Sequence, residues 1–374
     1  MPYRLLFLAA ALFGGGLVLS AGSAPALGEA GDDAHPAAAL SFRAIGPAHP
    51  SGRISELVVH PDSPAHWYVA TASGGLWETR NGGTTWTPLF DDQGSYAFGA
   101  LAMDPSHPQR LWAGTGENNT QRSVAAGDGV YLSRDGGRSW QQTGLEDSAH
   151  IGRIWIDPAD GDHVMVAAQG PLWSAGGDRG LYRTRDSGGS WEPILQIDEH
   201  TGVNDFMVDP RDPRVIVAAT YQRRRHVWTM INGGPGSGIH RSTDGGESWA
   251  PVTAGLPEGL MGRIGLAAAP SDPGRLYAIV EAEEDERGLY RSYDFGQNWV
   301  KQSDYAPTAP FYYNEIFVDP QDADRLYAVD TYTQVSEDAG KTFAALGNGD
   351  GARHVDDHAL WIDPKNPAYL LAGT

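Results

Sequence analysis

"STDGGESW", residues 242–249, sets an acid two residues after a small hydroxyl residue and follows it with glycines and an aromatic. Taken alone, Asp244 has the surroundings of a catalytic acid. The octet does not stand alone. "TRNGGTTW" (79–86), "SRDGGRSW" (133–140), "TRDSGGSW" (184–191), "SYDFGQNW" (292–299) and "SEDAGKTF" (336–343) share the pattern Ser/Thr-x-Asp/Asn-x-Gly-x-Thr/Ser/Asn-Trp/Phe. Such a stretch makes a tight hairpin turn: the carboxylate accepts backbone N–H bonds inside the turn and the glycines supply positive φ. An active site uses its acid once, so a residue required in every repeat is structural. Asp244 is therefore read as a turn residue, with the Trp packing back over the turn.

Working outward, a second motif alternates with the octets. "MDPSHPQRLWAGT" (103–115), "VDPRDPRVIVAAT" (208–220), "VDPQDADRLYAVD" (318–330) and "IDPKNPAYLLAGT" (362–374) are its clearest copies. Its prolines at 61, 105, 158, 210, 270, 320 and 364 lie 44 to 60 residues apart, the period of one propeller blade. Each unit reads as four short strands. Strand A is an apolar run such as "RIWI" that stops at Asp-Pro, where proline ends pairing. Strand B resembles "RLWAGT", strand C resembles "GLYRS", and strand D starts at the Trp, as in "SWEPI". The expected fold is all-β: a propeller of four-stranded blades, six complete with a partial seventh, over residues 42–374.

The octets are Asp-boxes, also called bacterial neuraminidase repeats, and nearly everything from residue 42 onward resembles the sortilin-like and glycosidase-like secreted propellers. "FRAIGP", "SGRI", "TASGGLW", "GDGVYLSRDGG", "GGPGSGIHRSTDGG" and "HVDDHALWIDP" carry the resemblance. It implies fold more strongly than function, since such repeats occur in sialidases, xyloglucan-degrading enzymes, a photosystem assembly factor and sorting receptors. In the xyloglucan-degrading family a "TDIGG"-like phrase carries a catalytic Asp, and here Ala72 stands at that place. Sialidases hold a substrate carboxylate with three arginines. Arg53, Arg153 and Arg263 each follow a glycine but fall in different registers, and no Tyr–Glu nucleophile pair is evident.

Bulk composition agrees with a β-rich protein. The 374 residues include 48 Gly and 25 Pro, with 41% hydrophobic and 20% charged residues. A formal charge of −20 repels nucleic acid and anionic lipid, so neither is an expected partner. Arg4 followed by "LLFLAAALFGGGLVLS" reads as an export signal within residues 1–30, with a short linker at 31–41. The glycines interrupt the run of about 20 apolar residues that a membrane span requires. With no cysteine there is neither a disulfide nor a lipid-attachment site, and the expected location is secreted or periplasmic with no membrane attachment after signal cleavage. The chain stops in strand B of a seventh unit, so the propeller is read as C-terminally incomplete; closure by "SFRAI" near the N-terminus is the other reading.

Loop lengths separate the two faces. Consecutive strands alternate in direction, so the uniform A–B and C–D turns share one face and the variable B–C and D–A connections share the other. Binding is expected on the variable face. There, Glu117, Asn118 and Asn119 either grip sugar hydroxyls or form a solvated turn. Arg223, Arg224 and Arg225 beside Trp228 either bind a carboxylate or sulfate in a loop or merely offset an acidic surface. Five residues before their respective prolines stand Glu56, Arg153, Asp205 and Glu315. Their carboxylates are candidate acid/base groups, with interblade salt bridges the competing reading. His354, Asp356 and His358 alternate in "HVDDH"; an extended backbone would point all three one way, as ligands for a divalent metal or as a hydrogen-bonded lead-in to strand A. The favoured function is a secreted module binding a carbohydrate, peptide or protein ligand through the variable loops. The alternative is a glycoside hydrolase using two of Glu56, Asp205, Glu315 and Asp356.

Overall fold

The apolar runs that end at Asp-Pro form the inner strands of a ring. The computed structural model describes residues 52–347 and 354–374. Strand A comprises Ile54–Val59, Phe98–Met103, Ile151–Asp157, Thr201–Val208, Ile264–Ala268 and Ile316–Val318 in six successive sheets. Each sheet runs A–B–C–D with antiparallel neighbours, and the fourth carries one added strand. The proposed export signal, linker and "SFRAI" lie outside the described residues.

The cores sit between blades. Tyr68, Leu76, Phe90, Phe98, Leu111 and Tyr131, for example, fill the space between the first and second sheets. Such alternating inward residues are what a stack of short half-buried strands needs to exclude water. After the sixth blade, Ala359–Ile362 and Leu370–Gly373 form a two-stranded sheet. Ala359, Trp361 and Leu371 pack against Leu57 and Val69 of blade one. Leu360, Ile362 and Leu370 pack against Tyr327 and Val329 of blade six. A two-stranded hairpin, rather than a further four-stranded blade, thus packs between the last and first blades, and Ile54 N–H donates to Thr374 O at 3.2 Å across that junction.

The octets do what their repetition implies. Asp244 Oδ1 accepts from Ser242 Oγ at 2.8 Å and from Ser248 N–H at 2.9 Å, while Gly246 N–H donates to Ser242 Oγ at 2.9 Å. Gly245 and Gly246 take φ of 79° and 92°, a region that favours glycine. Hydrogen bonds from Ser248 and Ser242 hold the Asp244 carboxyl down to about 2. Asn81, Asp135, Asp186, Asp294 and Asp338 repeat the arrangement. The Trp is not the first residue of strand D, as expected, but part of the turn: Trp249 Nε1–H donates to Gly246 O at 3.2 Å, and the strand begins at Ala250.

Candidate functional site

Near the start of strand A, blades one to four each depart from regular pairing. The register slips between Ile54 and Glu56, between Phe98 and Ala100, beside Arg153, and between Val203 and Asp205. A bulge re-aims the side chain that follows it. Glu56, Arg153 and Asp205 consequently point into the middle of the ring, and Glu315 joins them from just before strand A of blade six. Together with Asn118, Asn204, Arg263 and Asn314 they line a cavity of about 210 Å³. The lining also includes the apolar side chains of Leu101, Ile154, Leu266, Ile316 and Phe317.

Most of these charges are engaged across blade boundaries. Arg153 of blade three pairs with Asp205 of blade four. The Asp205 carboxylate also accepts from Phe206 N–H at 2.8 Å and from Leu266 N–H of blade five at 2.9 Å. Arg263 lies 3.8 Å from Glu315, which also accepts from Asn118 Nδ2 at 3.0 Å. Glu56 differs: among the described residues it accepts one hydrogen bond, at 3.2 Å, from the adjacent Leu57 N–H. Burial, reinforced by Glu315, pushes the Glu56 carboxyl up to about 8 against the pull of Arg153. Burial also raises Glu315, opposed by Arg263 and Asn118. These groups touch channel solvent, yet protein surrounds them, so desolvation outweighs the arginines. At neutral pH Glu56 is mainly a neutral acid beside the Arg153 guanidinium.

Glu117, Asn118 and Asn119 belong to a strap across the variable-face mouth of this channel. Glu117 is buried and pairs with Arg53 of blade one, whose Nε–H donates at 2.6 Å. Thr120 N–H donates to Phe311 O at 3.0 Å, and Arg223 of blade four donates from Nη1 to Asn119 O at 2.8 Å. The solvated-turn expectation therefore fails for Glu117 and Asn119, since bonds to distant blades replace their water. Nothing in the local sequence marks this role except the length of the segment.

Arg223, Arg224 and Arg225 lie in strand rather than loop: strand B of blade four runs Ile216–Arg225 and pairs with Met230–Asn232. Strand alternation then separates them. Arg223 is completely buried, with Nη2 bonded to Gly170 O, and burial lowers its guanidinium to about 9. Arg224 faces the other way, and Arg225 Nε–H reaches Thr120 O at 2.8 Å. At the hairpin tip, Trp228 is 83% exposed and stacks on His226. Trp173, Ile231 and Leu260, on neighbouring connections of the same face, are also exposed. Sequence reading missed Trp173 and Leu260, which stand as single apolar residues in polar surroundings.

The "HVDDH" segment is not extended. Asp356 has φ of 70°, which breaks the alternation that would align the three side chains. His354 turns outward, Asp356 accepts from Tyr313 Oη–H, and His358 packs between Tyr312 and Tyr313. Burial pushes the His358 imidazole down to about 3, so it is neutral. Among the described residues, no three His, Asp or Glu side chains converge as a metal-binding group.

A family model described as "Sortilin, neurotensin receptor 3" matches residues 128–258. A xyloglucanase of a Paenibacillus species is 26% identical over 288 residues, covering 70% of this chain. The GH74 xyloglucanase from Xanthomonas campestris superposes with a TM-score of 0.62 at 21% identity over 86% of this chain. The structure of YCF48 bound to D1 peptide superposes with a TM-score of 0.56 at 17% identity over 86% of this chain and 90% of that one. The fold is a sortilin-like, glycosidase-like propeller. This propeller spans only 26% of the Paenibacillus enzyme's length and 51% of the Xanthomonas chain. Among its described residues no helix is long and apolar enough to cross a membrane.

Proposed function

We propose that this chain is a secreted or periplasmic Asp-box propeller that binds a carbohydrate or peptide ligand on its B–C and D–A face. The observation that carries the reading is the apolar relief of that face. Trp228 at 83% exposure, Val227 at 82% and Leu260 at 61% project from connections that the fold does not need, and adjacent exposed apolar residues such as Val227 and Trp228 suit an interaction surface. Trp228 gives a flat ring for a sugar face or an apolar peptide side chain. Arg224 and Arg225 belong to the same hairpin; Arg225 Nε–H is committed to Thr120 O, while Arg224 carries buried Nε and Nη1 donors that meet no acceptor among the described residues. The Paenibacillus relative named for xyloglucan and the solved complex with D1 peptide support both ligand classes for this fold. The test is a glycan array and a peptide library probed with wild type and Trp228→Ala. Binding that falls about tenfold in the variant sustains the proposal; binding unchanged in Trp228→Ala removes this face from it.

A second reading, glycoside hydrolysis, draws on one feature: Glu56, raised to about 8, stands beside other carboxyls as a general acid would. Against it, Asp205 is engaged by Arg153 and two backbone N–H groups, and Asn118 of the strap lines the cavity and bonds Glu315. Ala72, which stands where the resemblance to the xyloglucan-degrading family implies an acid, is also fully buried. Reducing-end release from xyloglucan that disappears in Glu56→Gln would establish hydrolysis. Its absence from a folded wild-type protein leaves the binding reading.

A further inference from the structure

The channel cavity is lined by both polar and apolar side chains. Three carboxyls, Glu56, Asp205 and Glu315, share the lining with two guanidiniums, Arg153 and Arg263. Both arginines are already directed at acceptors: Arg153 at Asp205, and Arg263 through Nε–H at Asn204 Oδ1, 3.0 Å away. A separate observation concerns Asn314, which lines the cavity and is 0% exposed. Its Nδ2 is committed to the carbonyls of Arg263 at 2.9 Å and Ile279 at 3.3 Å. That fixes the amide orientation, and Oδ1 accepts no hydrogen bond. A buried acceptor left without a donor is costly, and native structures seldom tolerate one without a reason. Glu56 lines the same cavity and accepts a 3.2 Å bond from the adjacent Leu57 N–H.

We propose that this cavity binds a primary ammonium group carried on a short aliphatic stem. The ammonium offers three donors, which suits the Glu56 carboxylate and Asn314 Oδ1 under the strap. Its stem lies along the apolar wall formed by Leu101, Ile154, Leu266 and Phe317. The side chains do not converge as a metal site does, which favours an organic cation over an inorganic one. Two sources share this chemistry: a free amine and a lysine side chain.

Binding obliges Glu56 to ionise, so complex formation releases a proton into neutral buffer. The groups that face Glu56 are Arg153, Asp205 and Glu315. Titration calorimetry with n-butylammonium chloride at pH 7, in phosphate and in MOPS, reads affinity and proton release together. The expected result is saturable binding with proton release, at least about tenfold weaker for n-butanol, and at least about tenfold weaker in Glu56→Gln. A melting curve establishes that the variant is folded, and methylammonium, which lacks the stem, should bind more weakly in wild type. No saturable heat, equal affinity for n-butanol, or full affinity in folded Glu56→Gln overturns the proposal. A lysine peptide that competes with n-butylammonium identifies a side-chain source, and one that does not identifies a free amine. The channel lies apart from Trp228, so failure here leaves the surface-binding proposal standing.

Discussion

The two faces of this propeller are held together by different kinds of bond. On the turn face each Asp or Asn binds groups within four residues of itself, as Asp294 does with Ser292 and Asn298. On the loop face the bonds span long stretches of chain: Asn118 reaches Glu315, and Arg223 reaches Asn119. Repetition is possible only for the first kind. A local turn can be copied into every blade, whereas a strap across a ring can occur once. The difference teaches where individuality resides: the turn face sets the architecture, and the loop face and channel carry whatever distinguishes this propeller from another.

The contrast can be tested by its energetics. Arg223→Ala should have the largest effect, a loss of about 3–4 kcal/mol in denaturant unfolding, because buried carbonyls of Asn119 and Gly170 lose their donor and a cavity remains. A loss below about 1 kcal/mol would mean that the strap is not anchored there. Glu56→Gln should act in the opposite direction. The Glu56 carboxyl titrates near 8 in the folded protein against an ordinary value of 4.5. The neutral form is therefore favoured by folding: wild-type stability is unaffected below pH 4.5, declines as pH rises from there, and levels off above 8. The variant should remove that decline and gain about 2 kcal/mol at pH 8–9, seen as melting temperature against pH. A parallel pH profile for both proteins would place the titrating group elsewhere.

Next in size is the turn face. Asp294→Ala should cost about 1–2 kcal/mol, since it strips acceptors from Asn298 N–H and Ser292 Oγ next to the buried Trp299. If the turns are independent local units, pairing it with Asp135→Ala should give additive losses in a double-mutant cycle. Coupling above about 0.5 kcal/mol would show that the turns communicate around the ring. Trp228→Ala should matter least to folding, within about 0.5 kcal/mol, because its indole is mostly in solvent. Its effect belongs in the ligand assay instead.

Several features were legible in residue order. The octets specify hairpins because donor and acceptor lie a few residues apart, and the Asp-Pro spacing specifies blades because strand length and turn chemistry are local properties. The common phase of Glu56, Arg153, Asp205 and Glu315 was legible as well, since a fixed distance from each proline places them at one level of the ring. What they do there was not. The pairing of Arg153 with Asp205, the raised Glu56 and the donorless Asn314 depend on distances between blades, which exist only once the ring has closed.

Similar reasoning explains the misreadings. Glu117 and Asn119 look like solvated turn residues because their partners, Arg53 and Arg223, are far away in sequence. Arg223 looks like a surface cation because its neighbours are cations, while strand alternation, fixed by pairing with Met230–Asn232, turns it inward. Asp356 looks aligned with two histidines until a left-handed backbone disperses them. The sequence by itself determined the strands, the turns and their repetition, all governed by short-range hydrogen bonding and side-chain period. Only the tertiary structure decided which polar residues are buried and with what partners, because burial and the electric field within the channel are properties of the closed ring.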